Sequence, residues 1–153
     1  LEEVLDAVKT SGIQVNIELK TGIYWYPEIE RKVADLVKAS GMEDKVSYSS
    51  FNHYSIQQIK KIVPDAETAY LYSDVILNVE DYAKNTGVDG LHPAVYHVKM
   101  ADFLNEYLDS GLNVRVWTVN EKEDMEWLIG AGVTAIITNY PDKAVQIKEE
   151  AKE

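Results

Sequence analysis

The 153-residue chain has no cysteine. Disulfides, thiolate nucleophiles and cysteine-based zinc sites are therefore excluded. No apolar run approaches the roughly 18 residues that a membrane-spanning helix requires, so stable membrane insertion is not expected. Neither G-x-G-x-x-G nor G-x-x-x-x-G-K-[ST] occurs, which removes both glycine-rich phosphate cradles. Positive charge is scarce: 15 Lys and Arg stand against 26 Asp and Glu, for a net charge of −11. The basic residues are scattered, which argues against nucleic acid or an anionic membrane surface as a partner. A small anionic substrate stays open, provided that a local positive charge or a metal meets it. An initiator Met is also lacking, and the amphipathic helical pattern Leu1 to Val8 has no N-cap residue before it. The opening reads as a cut inside a longer chain. With any upstream targeting segment lost, the expected location is cytoplasmic.

What is present is an apolar content of 46%, enough for one ordinary core, so residues 1–153 are read as a single domain. Strand and helix patterns alternate. The expected strands are Ile13 to Lys20, Val46 to Phe51, Glu67 to Tyr72, Gly90 to His92, Asn113 to Val119 and Val133 to Thr138. The expected helices are the opening one, Glu28 to Ala39, Ser55 to Val63, Asp81 to Asn85, Val98 to Ser110, Glu121 to Ile129 and Lys143 onward, with Gly41, Pro64, Gly111, Gly130 and Gly132 as stop signals. Strand centres about 20 to 30 residues apart fit right-handed βαβ units with a parallel sheet. The class is α/β, with about six βα units. An open doubly wound sheet would want a glycine-rich loop directly after a strand, whereas a (β/α)₈ barrel gathers its functional residues at the C-terminal strand ends. Unusual residues do gather there, and the reading is an incomplete (β/α)₈ TIM barrel.

Glu18 and Lys20 close the first strand. Residues two apart share one face of a strand, so these two point together and Ile17 and Leu19 point the other way. On a buried face, either charge alone would cost several kcal/mol without compensation. Two readings fit the pair: a structural ion pair or solvated strand end, or a site for a cation and an anion.

At these strand ends the chain resembles the glycerophosphodiester phosphodiesterase family. The matching stretches are Ile17-Glu18-Leu19-Lys20, Val46 to His53, Val116-Trp117-Thr118-Val119-Asn120 and Gly132 to Asp142, with Leu1 to Leu5 similar to the helix before the Ile-Glu-Leu-Lys strand. Their order and spacing hold over nearly the whole chain. The resemblance implies a (β/α)₈ barrel of which these strands are the third to the eighth. It further implies metal-dependent hydrolysis of glycerophosphodiesters to an alcohol and glycerol 3-phosphate, within lipid and glycerol metabolism. The family's His-Arg-Gly, Glu-x-Asp and His-Asp motifs do not precede Leu1. They carry the acid/base histidines and two metal ligands, so no catalytic residue is assigned in this chain, which is expected to be incomplete as an enzyme.

Carried onto matching positions, Glu18 would be a metal carboxylate for Ca²⁺ or Mg²⁺, Lys20 would contact the phosphoryl oxygens or support the metal site, and Trp117 would wall the substrate's alcohol portion. Phe51 is a further candidate for substrate contact; for both aromatic residues the alternative is core packing. His92 reads either as a substrate contact, with Gly90 leaving room beside it, or as a hydrogen-bonded loop residue, while His53 and His97 read as structural or exposed. Tyr24-Trp25-Tyr26 reads as a lid, a partner surface or packing at a helix start. Asn120 reads as an N-cap before Glu121 and Glu123. The partner is expected to be a small-molecule phosphodiester, together with a missing N-terminal segment or self-association. Alternatives are a non-catalytic barrel fragment or a related phospholipid head-group phosphodiesterase. A barrel enzyme abstracting a proton beside a carboxylate is disfavoured, because the strands ending in Ser49-Ser50-Phe51 and Tyr70-Leu71-Tyr72 carry no acids.

Overall fold

The computed structural model describes residues 1–151. They hold six strands and eight α-helices, and the chain divides into two compact units, one formed by residues 1–71 and 85–89, the other by 72–84 and 90 onward.

The first unit runs α1 (Glu2–Val8), β1 (Val15–Glu18), α2 (Ile29–Ser40), a 3₁₀ turn (Glu43–Lys45), β2 (Val46–Ser50), α3 (His53–Ile62) and β3 (Glu67–Tyr72), whose last residue falls in the other unit. β1 pairs in parallel with β2 and β2 with β3, with Glu18 opposite Ser49 and Ser50 opposite Tyr70. Every residue of β2 is buried, as expected of a parallel strand covered on both faces. α2 turns Val33, Ala34 and Val37 inward, α3 turns in Ser55, Ile56 and Ile59, and Leu5, Met42 and Tyr70 complete the core. Gly41 ends α2 at φ 66°, a left-handed position that favours glycine. Asn52 starts α3, its side chain accepting the Tyr54 N–H at 3.1 Å. Asp89 fastens β3 from outside: its Oδ2 accepts the Thr68 N–H at 2.9 Å and hydroxyl at 3.0 Å, and meets Lys60 Nζ at 2.8 Å.

The second unit runs α4 (Val79–Asn85), whose last residue falls in the first unit, β4 (Gly90–Pro93), α5 (Val95–Val98), α6 (Phe103–Asp109), β5 (Asn113–Trp117), α7 (Lys122–Ala131), β6 (Ala135–Ile137) and α8 (Pro141–Glu150). β5 pairs in parallel with β4 on one side and β6 on the other. Leu91, Leu104, Val114, Val116, Met125 and Leu128 form the core. Gly132 closes α7 at φ 82°, whereas Gly130, also expected as a stop, lies inside the helix.

Three further expectations need correction. The single helix over Val98 to Ser110 is two, α5 and α6, parted at Ala101, whose φ is 40°. Asp102 is the N-cap residue of α6 and its carboxylate accepts from Asn105 Nδ2 at 2.7 Å, a local bond characteristic of a helix start. The cap of α7 is Glu121. Asn120 instead uses its side-chain oxygen to accept the Asn139 N–H at 3.1 Å and the Thr138 hydroxyl at 3.3 Å. The strand expected over Asn113 to Val119 ends at Trp117, after which Thr118 is exposed and Val119 buried. Among the described residues no helix is long and apolar enough to cross a membrane.

Candidate functional site

β1 ends on a segment held from both sides. The Leu19 N–H donates to Ser49 O at 2.8 Å, and the Ser50 hydroxyl donates to Leu19 O at 2.5 Å. Next in the chain, Asn52 Nδ2 donates to Thr21 O at 3.3 Å. Thr21 Oγ1 lies 2.5 Å from Ser55 Oγ, and Ser55 donates its single proton to Glu30 Oε1 at 2.6 Å, so Thr21 is the donor in the first bond. Leu19 and Thr21 are buried by this anchoring. Glu18 and Lys20, one step out of phase, are exposed.

The two charges therefore share a face as the strand period requires, but that face is open to solvent, which corrects the expectation of a buried one. The physical reason is that, among the described residues, β1 has β2 on one side only, and its four residues alternate half-buried and exposed. Among the described residues neither Glu18 nor Lys20 enters an ion pair. They are not neutralising each other, and both line a groove of about 450 Å³ with Ile23, Tyr24, Tyr26 and Phe51. Three of the four residues singled out in the sequence, Glu18, Lys20 and Phe51, thus meet in one groove. Tyr24-Trp25-Tyr26 is exposed loop, so packing at the start of α2 does not describe it. A larger cleft of about 520 Å³ in the second unit, lined by Glu121, Lys143 and Glu150 among others, holds none of the four.

Trp117, the fourth, ends β5 in the second unit. Its indole N–H donates to His92 O at 2.7 Å, which fixes the half-buried ring. His92 itself is fully buried, with Nε2 3.5 Å from Arg115 Nη1. Burial, and secondarily the Arg115 charge, push its pKa down to about 3. A neutral imidazole with that pKa is too weak a base for proton transfer near neutral pH, and the ring is closed off from solvent. His53 donates its Nε2–H to Leu71 O at 3.0 Å and stacks on Tyr70 at 3.9 Å; His97 is buried against the Tyr72 and Tyr96 rings.

A hard divalent cation wants six or more oxygen ligands, several of them carboxylates or substrate phosphate. Among the described residues no group of three His, Asp or Glu side chains is placed to hold a metal. Glu18 alone does not fit such an ion. The Thr21–Ser55–Glu30 chain and the place of Ile23 in the groove were not legible in the sequence. The one signal was a serine on the otherwise apolar inner stripe of α3, where a buried hydroxyl needs a partner.

Comparison with known proteins identifies the family and the fold. The family model for the glycerophosphoryl diester phosphodiesterase family matches residues 1–143. A glycerophosphodiester phosphodiesterase from Bacillus altitudinis is 39% identical over 158 aligned residues, covering 99% of this chain and 63% of that protein. The crystal structure of a glycerophosphodiester phosphodiesterase from Parabacteroides distasonis superposes with a TM-score of 0.84 at 26% identity, over 99% of this chain and 64% of that one. An Oleispira antarctica phosphodiesterase, solved with the product sn-glycerol-3-phosphate, has the same fold at a TM-score of 0.84 and 21% identity, over 97% of this chain and 60% of that one. The fold is α/β, built of the parallel βα units of a TIM barrel. The chain belongs to the glycerophosphoryl diester phosphodiesterase family, a family of phosphoric diester hydrolases, and spans less than two thirds of the relatives it matches.

Proposed function

We propose that this chain carries the phosphodiester-binding part of an enzyme that hydrolyses glycerophosphodiesters to an alcohol and glycerol 3-phosphate. The observation behind this reading is the groove in which an ammonium and a carboxylate, each unpaired among the described residues, meet an aromatic ring at the end of β1. The Oleispira antarctica relative, which holds sn-glycerol-3-phosphate, supports the substrate class. Lys20 would contact the phosphoryl oxygens and stabilise the negative charge that grows on them as the ester bond breaks. Phe51 supplies an apolar wall, and Trp117, its indole N–H already engaged, offers a ring face in the second unit. The Ca²⁺ or Mg²⁺ that the family resemblance implies would find one ligand here, Glu18, so this chain by itself is proposed to be inactive. Its remaining ligands and the acid/base pair would come from another segment. A cytoplasmic location goes with this reading.

The test is release of glycerol 3-phosphate from glycerophosphocholine by the full-length protein. Lys20→Ala and Glu18→Gln should each lower kcat/KM by about 100-fold or more, and chelation of divalent ions should abolish turnover. Unchanged turnover in both variants, or no glycerol 3-phosphate from any glycerophosphodiester, would refute the proposal. The open edge of β1 favours a second element of the reading, that the chain pairs with a further segment or with itself.

A further inference from the structure

Residues two apart on β2 share a face, and the row of Val46, Tyr48 and Ser50 is buried throughout. A hydroxyl in such a row is costly unless its hydrogen bonds are met. Those of Ser50 are met twice: it donates to Leu19 O at 2.5 Å and accepts the Asn52 N–H at 2.9 Å.

The carbonyl that Ser50 holds also closes a tight turn. Leu19 O accepts the Thr21 N–H at 3.0 Å, and a bond between residues two apart makes a γ-turn, a form common at strand ends. Lys20 is its central residue. Both lone pairs of Leu19 O are thereby engaged, one by the turn and one by Ser50. On either side of the turn, the Leu19 N–H donates to Ser49 O at 2.8 Å and Asn52 Nδ2 donates to Thr21 O at 3.3 Å. The peptide groups before and after the Lys20 α-carbon are thus both tied down, and with them the direction in which its side chain leaves the backbone. Every one of these holds comes from the end of β2 or the start of α3, within the first unit. None uses the side of β1 away from β2, so a further segment pairing there leaves them in place.

We propose that Ser50 is a positioning residue for phosphodiester hydrolysis, and that its hydroxyl, assisted by Asn52, locks the turn that aims the Lys20 ammonium at the phosphoryl oxygens. This rests on the proposed function for the role of Lys20 and goes beyond it in naming what sets the lysine in place. Lysine carries its charge on a flexible four-carbon stem. Fixing the base of that stem matters because a misplacement of about 1 Å can cost about 100-fold in rate.

A double-mutant cycle on the full-length protein, read as release of glycerol 3-phosphate from glycerophosphocholine, tests this. Ser50→Ala should lower kcat about 10-fold or more. KM should stay within about three-fold, because the charge that Lys20 meets grows as the ester bond breaks. In a Lys20→Ala background the same substitution should change kcat less than about two-fold, since a residue acting through Lys20 has nothing left to aim. Asn52→Ser keeps an oxygen to cap the Tyr54 N–H but has no amide to donate to Thr21 O, and should show the same dependence on Lys20 with a smaller loss. Should Ser50→Ala fail to fold, the Asn52→Ser cycle decides alone. Equal losses with and without Lys20, or a loss carried by KM, would make these residues structural and overturn the proposal. Full activity in both variants overturns it too and leaves the phosphoryl contact of Lys20 standing. Indifference to Lys20→Ala itself overturns the proposed function along with it.

Discussion

A buried imidazole with no compensating acid has a definite effect on pH stability. His92 is enclosed beside Arg115 and its folded pKa is about 3, against about 6.5 when exposed in the unfolded chain. Between these values the unfolded state binds the proton and the folded state does not, so stability rises with pH across that window. The contribution is full above about pH 6.5 and is lost as pH falls toward 3; at pH 4 the loss is about 3 kcal/mol. Urea unfolding at pH 7 and pH 4 should show this loss, and His92→Gln should remove most of it. Equal pH dependence in the two proteins would refute the assignment. At this scale the sequence placed Glu18 and Lys20 on one face correctly, because alternation is a property of the backbone. It did not place that face in solvent, because exposure depends on what packs against β1. Phe51 was legible as a strand-end residue for the same reason as Glu18, whereas Thr21 and Ser55 were not, since their bond joins residues 34 apart.

Elements were legible where punctuation was strong. β3 occupies the expected Glu67–Tyr72, and Gly41 and Gly132 close α2 and α7 as the stop signals require. The helix broken at Ala101 was missed because Met100-Ala101 carries no glycine or proline to mark a turn. Another feature hidden from the sequence is the clamp of Asp89 on β3. Asp89→Ala strips the buried Thr68 N–H and hydroxyl of their acceptor and Lys60 of its carboxylate partner, leaving Lys60 its bond to Ala66 O. With Asp89 partly exposed, the expected cost is about 1–2 kcal/mol, and Asp89→Asn, which keeps an acceptor oxygen, should cost less. Thermal unfolding of the two variants checks the order; an equal loss in both would mean that the charge, and not the acceptor, holds the strand.

At the scale of the molecule, strong net negative charge and an open strand edge pull against each other. β1 presents Val15–Glu18 with no proline and no lysine among them to blunt the edge, while a charge of −11 keeps copies apart at low ionic strength. Association should therefore grow with salt as well as with concentration, the reverse of an interaction held by opposite charges. Light scattering coupled to size exclusion, run at about 20 and 500 mM salt, should show larger species at the higher value, and Ile17→Pro on the edge should reduce them. A monomer under both conditions would count against the open edge as a pairing surface. The α/β class and the family were legible at this scale because they rest on the order of strand-end motifs along the whole chain, which no single contact alters.

The double fastening of the loop after β1 also separates two rates of change. Because Thr21, Ser55, Asn52 and Glu30 hold its ends, residues 22–26 can be exchanged as a cassette while Glu18 and Lys20 keep their positions. New ligand preferences could be tried there, by selection or by design, without rebuilding the charged strand end beside them.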